Sequence, residues 1–513
     1  MPQKRKDTVI VKTYVPGGKF AIIDEKGNDV DYTIIKSRDL TDYVLSQTIM
    51  LDPSRKFYVP DQVLEVTMAI KANDVPALGY VQYSIDTQKD SHKETADKKV
   101  LENKYYTIEV EENGSLTIVD KANNVTYKNQ GILVENGDDG DSFNYSPPRK
   151  DMEVFSNESK CTVKISGSDI YDQAEIHFDM VVPADLDERA EGKVSVTMLV
   201  DMTVALRKDS KVIDFNVKVD NKGLSHRLCV LFDSQIVSAF NYADQQFGLI
   251  KRPNYYEKEM KLYMESMNNK TEKKAGIQEL ANWANDQSTW QEPPISIEPT
   301  QSYVSLTDGK TGIAVIPQGV REYEVLDDSK IRLTLFRTYG FMGKENLIYR
   351  PSRASGERII ETPAAQLLKE MEFNFGFTSY AGDINDSDID TLAKQYNTNL
   401  EVYTYAEFLN GRLIFSQREI EGQNAKIHSL FETEGNLVVS AVKKAEEDDG
   451  YIIRLYNGKD HKDLDDKIKF NFDIKEAYYT NLKEEKTEEI KVENNTISVK
   501  ELSHCKFVTI WVK

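Results

Sequence analysis

Apolar and polar residues alternate along most of the chain, and this period of two predicts β-strands. Residues 8–15 and 63–70 alternate in this way, and the turn Pro16-Gly17-Gly18 follows the first of them. From about residue 103 the strand-like runs lengthen, as at 194–200 and 331–337. Long strands repeated from there to about residue 385 predict a mostly β fold built around one large two-sheet sandwich.

The 513 residues of the chain are enough for about three domains at roughly 150 residues each. The charged stretch 86–94 has no apolar periodicity and is typical of a linker. We therefore expect a small β-sandwich at 1–92, the large sandwich at 93–385 and a C-terminal β-domain at 386–513.

Three local signals refine this picture. Asn113-Gly114 lies between two strand-like runs and predicts a hairpin turn, because both residue types tolerate a positive φ. Residues 255–287 interleave charged and apolar side chains, which suits a short helix or an irregular excursion. Residues 388–395 predict a connecting helix.

The chain is acidic, with 65 basic residues, 85 acidic residues and a net charge of -20. Nucleic acid and anionic membranes would repel such a surface, so neither is expected as a partner, and neutral ligands fit better. No apolar run approaches the ~20 residues needed to cross a bilayer. The first residues lead into a strand pattern instead of an apolar signal core, and we expect a cytoplasmic protein.

The cysteine and histidine residues form no recognisable catalytic or metal-binding pattern. Cys161, Cys229 and Cys505 are far apart and are predicted to be buried free thiols. The six histidines form no pair at i, i+4 and sit in no cysteine cluster, so we expect no metal site within this chain. No nucleophile elbow, phosphate-binding loop or dinucleotide fingerprint is present in the sequence. Any chemistry must rest on carboxylates or on groups outside the chain.

One stretch, residues 137–148, is rich in side-chain function. It combines three carboxylates, two glycines, two aromatic residues and a diproline between strand-like runs. Such a stretch is too polar for a core, and it predicts a loop that presents functional groups. The alternative is an ordinary solvated turn.

The order of several separated blocks resembles the C-terminal half of glycoside hydrolase family 38, the α-mannosidases, and its bacterial cytoplasmic branch in particular. The 137–148 loop is similar to a Gly-Asp-x-Tyr-x-Tyr-Ser-Pro loop of that family. The family's large domain is a galactose mutarotase-like supersandwich, which is the fold that the resemblance implies here. The other blocks follow in the family's order: Asn103–Asp120, His226-Arg227-Leu228, Phe247-Gly248, Trp290-Gln291-Glu292-Pro293-Pro294, Gly319–Val325, Leu333–Arg337 and Thr362–Gln366.

The resemblance implies a division of labour between two parts of one enzyme. In the family, two histidines and two aspartates of an N-terminal α/β domain hold zinc, and the same domain carries the nucleophilic aspartate of a retaining glycosidase. None of these groups maps onto this sequence. The expected partners are that N-terminal catalytic domain and a mannose-containing oligosaccharide, with no catalytic residue here and no activity from this chain alone.

The resemblance also implies which residues line the sugar site. The position of Phe143 is usually a tyrosine whose hydroxyl reaches the site, so that role either shifts to Tyr145 or is lost. Asp141 is expected either to reach a sugar hydroxyl or to orient the loop.

Three further candidates follow that loop in the sequence. The family carries an arginine near residues 346–356 that approaches the site; Arg350 is the first choice and Arg353 the second, and a solvated loop charge is the alternative for either. Trp290 is expected either to stack on a sugar face or to pack in a core.

A second hypothesis belongs to a different class of protein. A stand-alone carbohydrate-binding or assembly module could keep this fold without catalysis, and its acidic aromatic loop could hold a glycan. The sequence leaves open whether the assembly is a homodimer.

Overall fold

The structure is a computed structural model, and it describes residues 1–47, 61–269, 292–350, 359–406, 409, 428–460 and 462–513. The strand pairings within its sheets are antiparallel. The N-terminal part contains α1 (Thr41–Ser46) and six strands: β1 (Arg5–Val15), β2 (Ala21–Asp24), β3 (Asp29–Val30), β4 (Tyr32–Asp39), β5 (Leu64–Val75) and β6 (Tyr83–Asp86).

Two three-stranded sheets, β1-β5-β4 and β3-β2-β6, form this N-terminal part. Alternation along β1 buries Val11, Thr13 and Val15 and exposes the residues between them to differing degrees. Phe20 and Tyr32 stack in the core with ring centroids 4.8 Å apart. The apolar face of each strand therefore points into one small core, as a period of two requires.

The middle of the chain carries the largest number of elements. Its helices are α2 (Leu186–Glu191) and α3 (Glu257–Asn269). Its strands are β7 (Ala96–Asp97), β8 (Leu101–Glu102), β9 (Tyr106–Val110), β10 (Leu116–Asp120), β11 (Val125–Gln130), β12 (Ile132–Gly137), β13 (Val154–Phe155), β14 (Lys160–Gly167), β15 (Tyr171–Val182), β16 (Val196–Arg207), β17 (Ile213–Asp220), β18 (His226–Asp233), β19 (Phe240–Gln245), β20 (Gly248–Pro253), β21 (Glu298–Pro299), β22 (Val304–Thr307), β23 (Thr311–Gln318), β24 (Glu322–Leu326), β25 (Lys330–Arg337), β26 (Phe341–Met342), β27 (Ile360–Glu361) and β28 (Glu370–Ala381).

A ten-stranded sheet, β20-β19-β22-β23-β28-β17-β16-β15-β14-β7, faces a six-stranded sheet, β13-β12-β18-β25-β24-β21, and a four-stranded sheet, β11-β10-β9-β8. Phenylalanines join the layers: Phe215 and Phe375 of the ten-stranded sheet stack at 5.2 Å, and Phe232 of the six-stranded sheet meets Phe215 edge-on at 5.4 Å. All three side chains are buried in one large core. Burying rings of this size from both layers stabilises the sandwich strongly.

The C-terminal part begins with α4 (Ile389–Asn397) and continues with eight strands in two further sheets, β29-β32-β35 and β30-β31-β36-β33-β34. A separate apolar core lies between these sheets. The strands are β29 (Phe431–Thr433), β30 (Val438–Lys444), β31 (Tyr451–Tyr456), β32 (Leu464–Phe470), β33 (Ala477–Thr480), β34 (Lys486–Glu489), β35 (Thr496–Leu502) and β36 (Phe507–Val512).

The segment around Gly79 ties the N-terminal part to the C-terminal part. Gly79 pairs with Ser429, and the Tyr80 amide donates to the His428 carbonyl at 2.9 Å. Leu78 packs against the C-terminal core. A Cβ atom on residue 79 would lie 1.7 Å from the His428 carbonyl oxygen, so only glycine fits at this contact.

The predicted mostly β fold with a large two-sheet sandwich is confirmed. The predicted hairpin turn is present, with Gly114 at φ 80°. α3 lies inside the stretch 255–287, of which residues 270–287 lie outside the described residues, and α4 overlaps the predicted connecting helix. The domain boundaries and the cytoplasmic location stay predictions.

The cysteines are free, as predicted, but the prediction that all three are buried is wrong. Cys229 is buried in β18, whereas Cys161 is partly exposed. Cys505 is exposed because it lies in the turn between β35 and β36, where its φ of 60° points the chain back on itself. In the described part of the chain, no helix combines the length and the apolar character that crossing a membrane requires.

We expect Gly79→Ala to lower the free energy of unfolding by at least about 2 kcal/mol, because the new methyl group overlaps a backbone carbonyl that cannot move aside. Gly18→Ala is the matched control, since a Cβ there meets only Leu64 Cδ1, at 3.8 Å. Urea unfolding followed by circular dichroism measures both variants. Equal midpoints for the two variants would contradict the close contact.

Candidate functional site

The functional loop, residues 137–148, leaves the end of β12 beside the end of β25. Its backbone folds on itself, with the Asp139 amide donating to the Ser146 carbonyl at 2.8 Å and the Asp141 amide donating to the Asn144 carbonyl at 3.0 Å. Gly140 is required at the crossing point, because a Cβ there would lie 2.0 Å from the Asn144 carbonyl oxygen.

Arg337, the last residue of β25, holds this loop in place through hydrogen bonds from its guanidinium group. Its Nε donates to Asp138 Oδ2 at 2.6 Å and its Nη2 to Asp138 Oδ1 at 3.1 Å. The same Nη2 lies 2.9 Å from the carbonyl oxygens of Asp141 and Asn144. Burial raises the pKa of the Asp138 carboxyl, and the Arg337 guanidinium opposes that shift. One planar fork of donors thus fixes three points of the loop.

Arg350 holds the loop from the other side through Asp141. Its Nη2 donates to Asp141 Oδ2 and its Nη1 to Asn144 Oδ1, and both charged side chains are buried. Asp141 also accepts from the backbone amides of Lys344 at 2.8 Å and Phe143 at 2.9 Å. Burial alone would raise the pKa of the Asp141 carboxyl, but the hydrogen bonds from Arg350 and the backbone amides hold it below its usual value.

Tyr145 faces inward. The Arg227 guanidinium lies over its ring, 3.9 Å from the centroid, and its hydroxyl accepts from Asn136 Nδ2 at 3.1 Å. Tyr349 meets the same ring edge-on at 6.0 Å. Burial raises the pKa of the Tyr145 phenol, so that side chain keeps its proton at neutral pH. The geometry makes Tyr145 part of the base of the loop.

The exposed rim of the loop has a different character. Phe143 is 58% exposed and is the most solvent-accessible aromatic side chain in the loop. Asn144 is partly exposed, and its Nδ2 donates to Glu292 Oε2 at 3.4 Å. Glu292 comes from the chain segment that leads into β21. The rim therefore offers an apolar ring beside amide and carboxylate groups.

A buried polar cluster supports the loop from beneath. Glu135 accepts from His226 Nδ1 at 2.9 Å and from Arg189 Nη2. His226 Nε2 lies 2.9 Å from Asn221 Oδ1. His226 pairs with Gly137 in the β12–β18 ladder, so this cluster fixes the strand end from which the loop departs.

The structure brings three of the sequence-predicted residues together. Asp141 and Arg350 form an ion pair, and Tyr145 lies in the base of the same loop. Phe143 lies on the rim. Trp290 and Arg353 lie outside the described residues. The roles assigned to all six residues in sugar binding stay predictions.

Sequence reasoning assigned no role to Arg337, Asn144 and Glu292. Each of them lies inside a block that resembles the family, so the resemblance of these blocks was the sequence signal that could have pointed to them. Their contacts span up to 206 residues of sequence, as for Asn144 and Arg350, and no local pattern reveals such a pairing.

Zinc is the metal that the family resemblance implies. Among the described residues, no group of three or more His, Cys, Asp and Glu side chains is arranged to hold a metal ion. The described residues do not fit a zinc site, and no chemical step of this chain is assigned to zinc.

Comparison with known proteins agrees with this architecture. The profile of the glycosyl hydrolases family 38 C-terminal domain matches residues 101–341, and that of the family 38 C-terminal beta sandwich domain matches residues 436–509. The fold and these two matches define a chain made of the C-terminal β-sandwich domains of that family. The chain belongs to glycoside hydrolase family 38.

Individual relatives are longer than this chain. A protein from Halalkalibacterium halodurans, "Putative mannosylglycerate hydrolase", is 24% identical over 420 residues, which are 78% of this chain and 40% of the relative. A family 38 protein of known structure from Enterococcus faecalis gives a TM-score of 0.72 at 18% identity, and an alpha-mannosidase from Enterococcus faecalis V583 gives 0.71 at 19%. Both cover 100% of this chain, which spans 57% and 55% of theirs. At these identities the two structures show the fold alone.

We expect Arg337→Met to loosen the functional loop, because Asp138 would be left buried without its partner, at a cost of about 3 kcal/mol or more. Hydrogen-exchange mass spectrometry on peptides covering residues 137–148 measures this as faster amide exchange. Lys344→Met is the matched control, since its ion pair with Asp139 is partly exposed and should contribute under about 1 kcal/mol. Unchanged exchange in the Arg337 variant would show that the loop does not depend on it.

Asp141→Asn should make the free energy of unfolding less sensitive to a fall in pH. A carboxyl with a lowered folded pKa contributes stability above its unfolded pKa of about 3.9, and this contribution is lost as pH falls through the folded pKa. The free-energy difference between wild type and variant should therefore be largest near neutral pH, at about 3 kcal/mol, and should shrink below about pH 4. Urea titrations between pH 3 and pH 7 measure it, with Asp139→Asn as control. A difference that stays constant across this range would contradict the ionised pairing.

Proposed function

We propose that this chain is the β-rich C-terminal part of a retaining glycosidase that hydrolyses α-mannosides, and that it works together with an N-terminal family 38 catalytic domain. In this proposal the N-terminal domain supplies the zinc ion and the nucleophilic aspartate. The present chain supplies architecture and one wall of the sugar site, formed by the functional loop. Membership of family 38 and the ordered match of both C-terminal domains support the proposal.

The observation that carries the proposed role is the state of the loop carboxylates. A retaining glycosidase needs one carboxylate free to attack and one carboxyl group free to exchange a proton. Asp138 and Asp141 are buried and held by Arg337 and Arg350 respectively. Groups engaged in this way serve badly as nucleophile or acid/base, and they serve well as fixed supports for a wall.

The substrate class rests on relatives with different names. One relative is named a putative mannosylglycerate hydrolase and another an alpha-mannosidase; both names share mannose as the glycone, and the second adds the α linkage. We therefore propose an α-mannosyl group as the glycone. The rim side chains Phe143 and Asn144 suit a sugar, because the ring offers an apolar surface for C–H groups and the amide offers hydrogen bonds to hydroxyls.

Assembly provides the test. The chain alone, with zinc, should not hydrolyse an aryl α-mannoside, because the attacking carboxylate lies on the N-terminal domain. Supplying a family 38 N-terminal catalytic domain, by co-expression or fusion, should produce zinc-dependent hydrolysis. Full turnover by the isolated chain would overturn the proposed division of labour.

A stand-alone carbohydrate-binding module is the competing function, because the acidic and aromatic groups of the loop could bind a glycan without catalysis. Isothermal titration of the isolated chain with mannose oligosaccharides separates the two functions. Micromolar affinity would favour the module, because a single wall of a divided site should bind only weakly.

A further inference from the structure

Glu292 differs from the carboxylates of the functional loop because it has no cationic partner among the described residues. Each loop carboxylate has its own cation: Asp138 pairs with Arg337, Asp139 with Lys344, and Asp141 with Arg350. In the described part of the chain, Glu292 has no ion pair, and its side chain is exposed. Glu292 therefore carries a negative charge that no cation among the described residues pairs with.

The position of Glu292 is set by a neutral donor. Asn144 Oδ1 accepts from Arg350 Nη1, which orients the amide so that its Nδ2 points at Glu292 Oε2, 3.4 Å away. Within the described residues this is the hydrogen bond that Glu292 makes. No described residue donates a hydrogen bond to the second oxygen, Oε1, while the buried Asp141–Arg350 pair restrains the first through Asn144.

Such a group has a clear chemical preference. An ionised carboxylate accepts shorter and stronger hydrogen bonds from hydroxyl groups than a neutral acceptor does. It also repels a second carboxylate brought to the same rim. A neutral polyhydroxylated ligand satisfies Glu292, whereas a ligand that carries its own acid group does not.

We infer that Glu292 is a specificity-determining residue that accepts a hydrogen bond from a sugar hydroxyl and selects neutral α-glycosides over glycosides with an anionic aglycone. The inference rests on the proposed function for its substrate. It assigns Glu292 to substrate recognition and not to the bond-breaking step, because its contact is with the rim amide of Asn144.

Glu292→Gln is the informative change, because the new amide oxygen can still accept from Asn144 and the loop keeps its support. Only the charge is removed. Glu345→Gln is the matched control: Glu345 is also exposed, directly follows Lys344 in the sequence, and makes no ion pair with the described residues.

Kinetics on the assembled enzyme give the first readout, with p-nitrophenyl α-mannoside as neutral probe and α-mannosylglycerate as anionic probe. For Glu292→Gln we expect KM for the neutral probe to rise about tenfold with little change in kcat, which corresponds to loss of one charged hydrogen bond. KM for the anionic probe should fall or stay constant. Glu345→Gln should leave both constants as in wild type.

Saturation-transfer NMR of the isolated chain with millimolar methyl α-mannoside gives a second readout that needs no catalysis. Wild type and Glu345→Gln should show transfer to the sugar, and Glu292→Gln should show several-fold less. Equal transfer for all three proteins, no transfer for wild type, or unchanged specificity in the kinetic comparison would overturn the inference. An assembled wild-type enzyme without hydrolysis would instead overturn the proposed function, and the NMR comparison would still decide the role of Glu292.

Discussion

The buried pairing of loop carboxylates with arginines that are distant in sequence is the interaction on which the candidate site depends. Asp138 and Asp141 have no solvent exposure, so their charges would be very costly without Arg337 and Arg350. Removing both charges from water costs several kcal/mol per ion, and the hydrogen bonds to Arg337 offset that cost only in one loop geometry. The pairs therefore contribute conformational definition more than net stability.

The sheets beneath the loop determine this loop conformation. Arg337 ends β25, which lies next to β18, and β18 lies next to β12, from which the loop departs. The three strands place Arg337 and the start of the loop at the same edge of the sheet, with β18 between them. The large phenylalanine core between the layers fixes those strands, so a rim side chain such as Asn144 depends on packing far below it.

The sequence predicted the sandwich because the period-two pattern is local and repeats along the chain, and it located the loop because Gly140 and three acidic residues stand out. It could not predict which cation would meet which carboxylate, because partners such as Arg350 and Asp141 are 209 residues apart. The exposed position of Cys505 was missed for a local reason. Free thiols are usually buried, but this one lies in a turn with positive φ at the surface. The inward orientation of Tyr145 was also out of reach, since Arg227 approaches it from another sheet strand.

A wall built in this way suits a site divided between two domains. A loop that adjusted its shape on docking would lose conformational entropy each time the site was completed, and this cost would weaken binding of the substrate. Arg337 and Arg350 remove most of that freedom in advance, since Arg337 ties Asp138 to the end of β25 and Arg350 ties Asp141 to the segment that follows β26. The loop groups left to respond to a ligand are those on the rim, where Phe143 is exposed and Asn144 donates to Glu292, a carboxylate with no ion pair among the described residues. Rigidity at the base and chemical freedom at the rim are thus two results of the same arrangement, in which every buried charge of the loop has a partner.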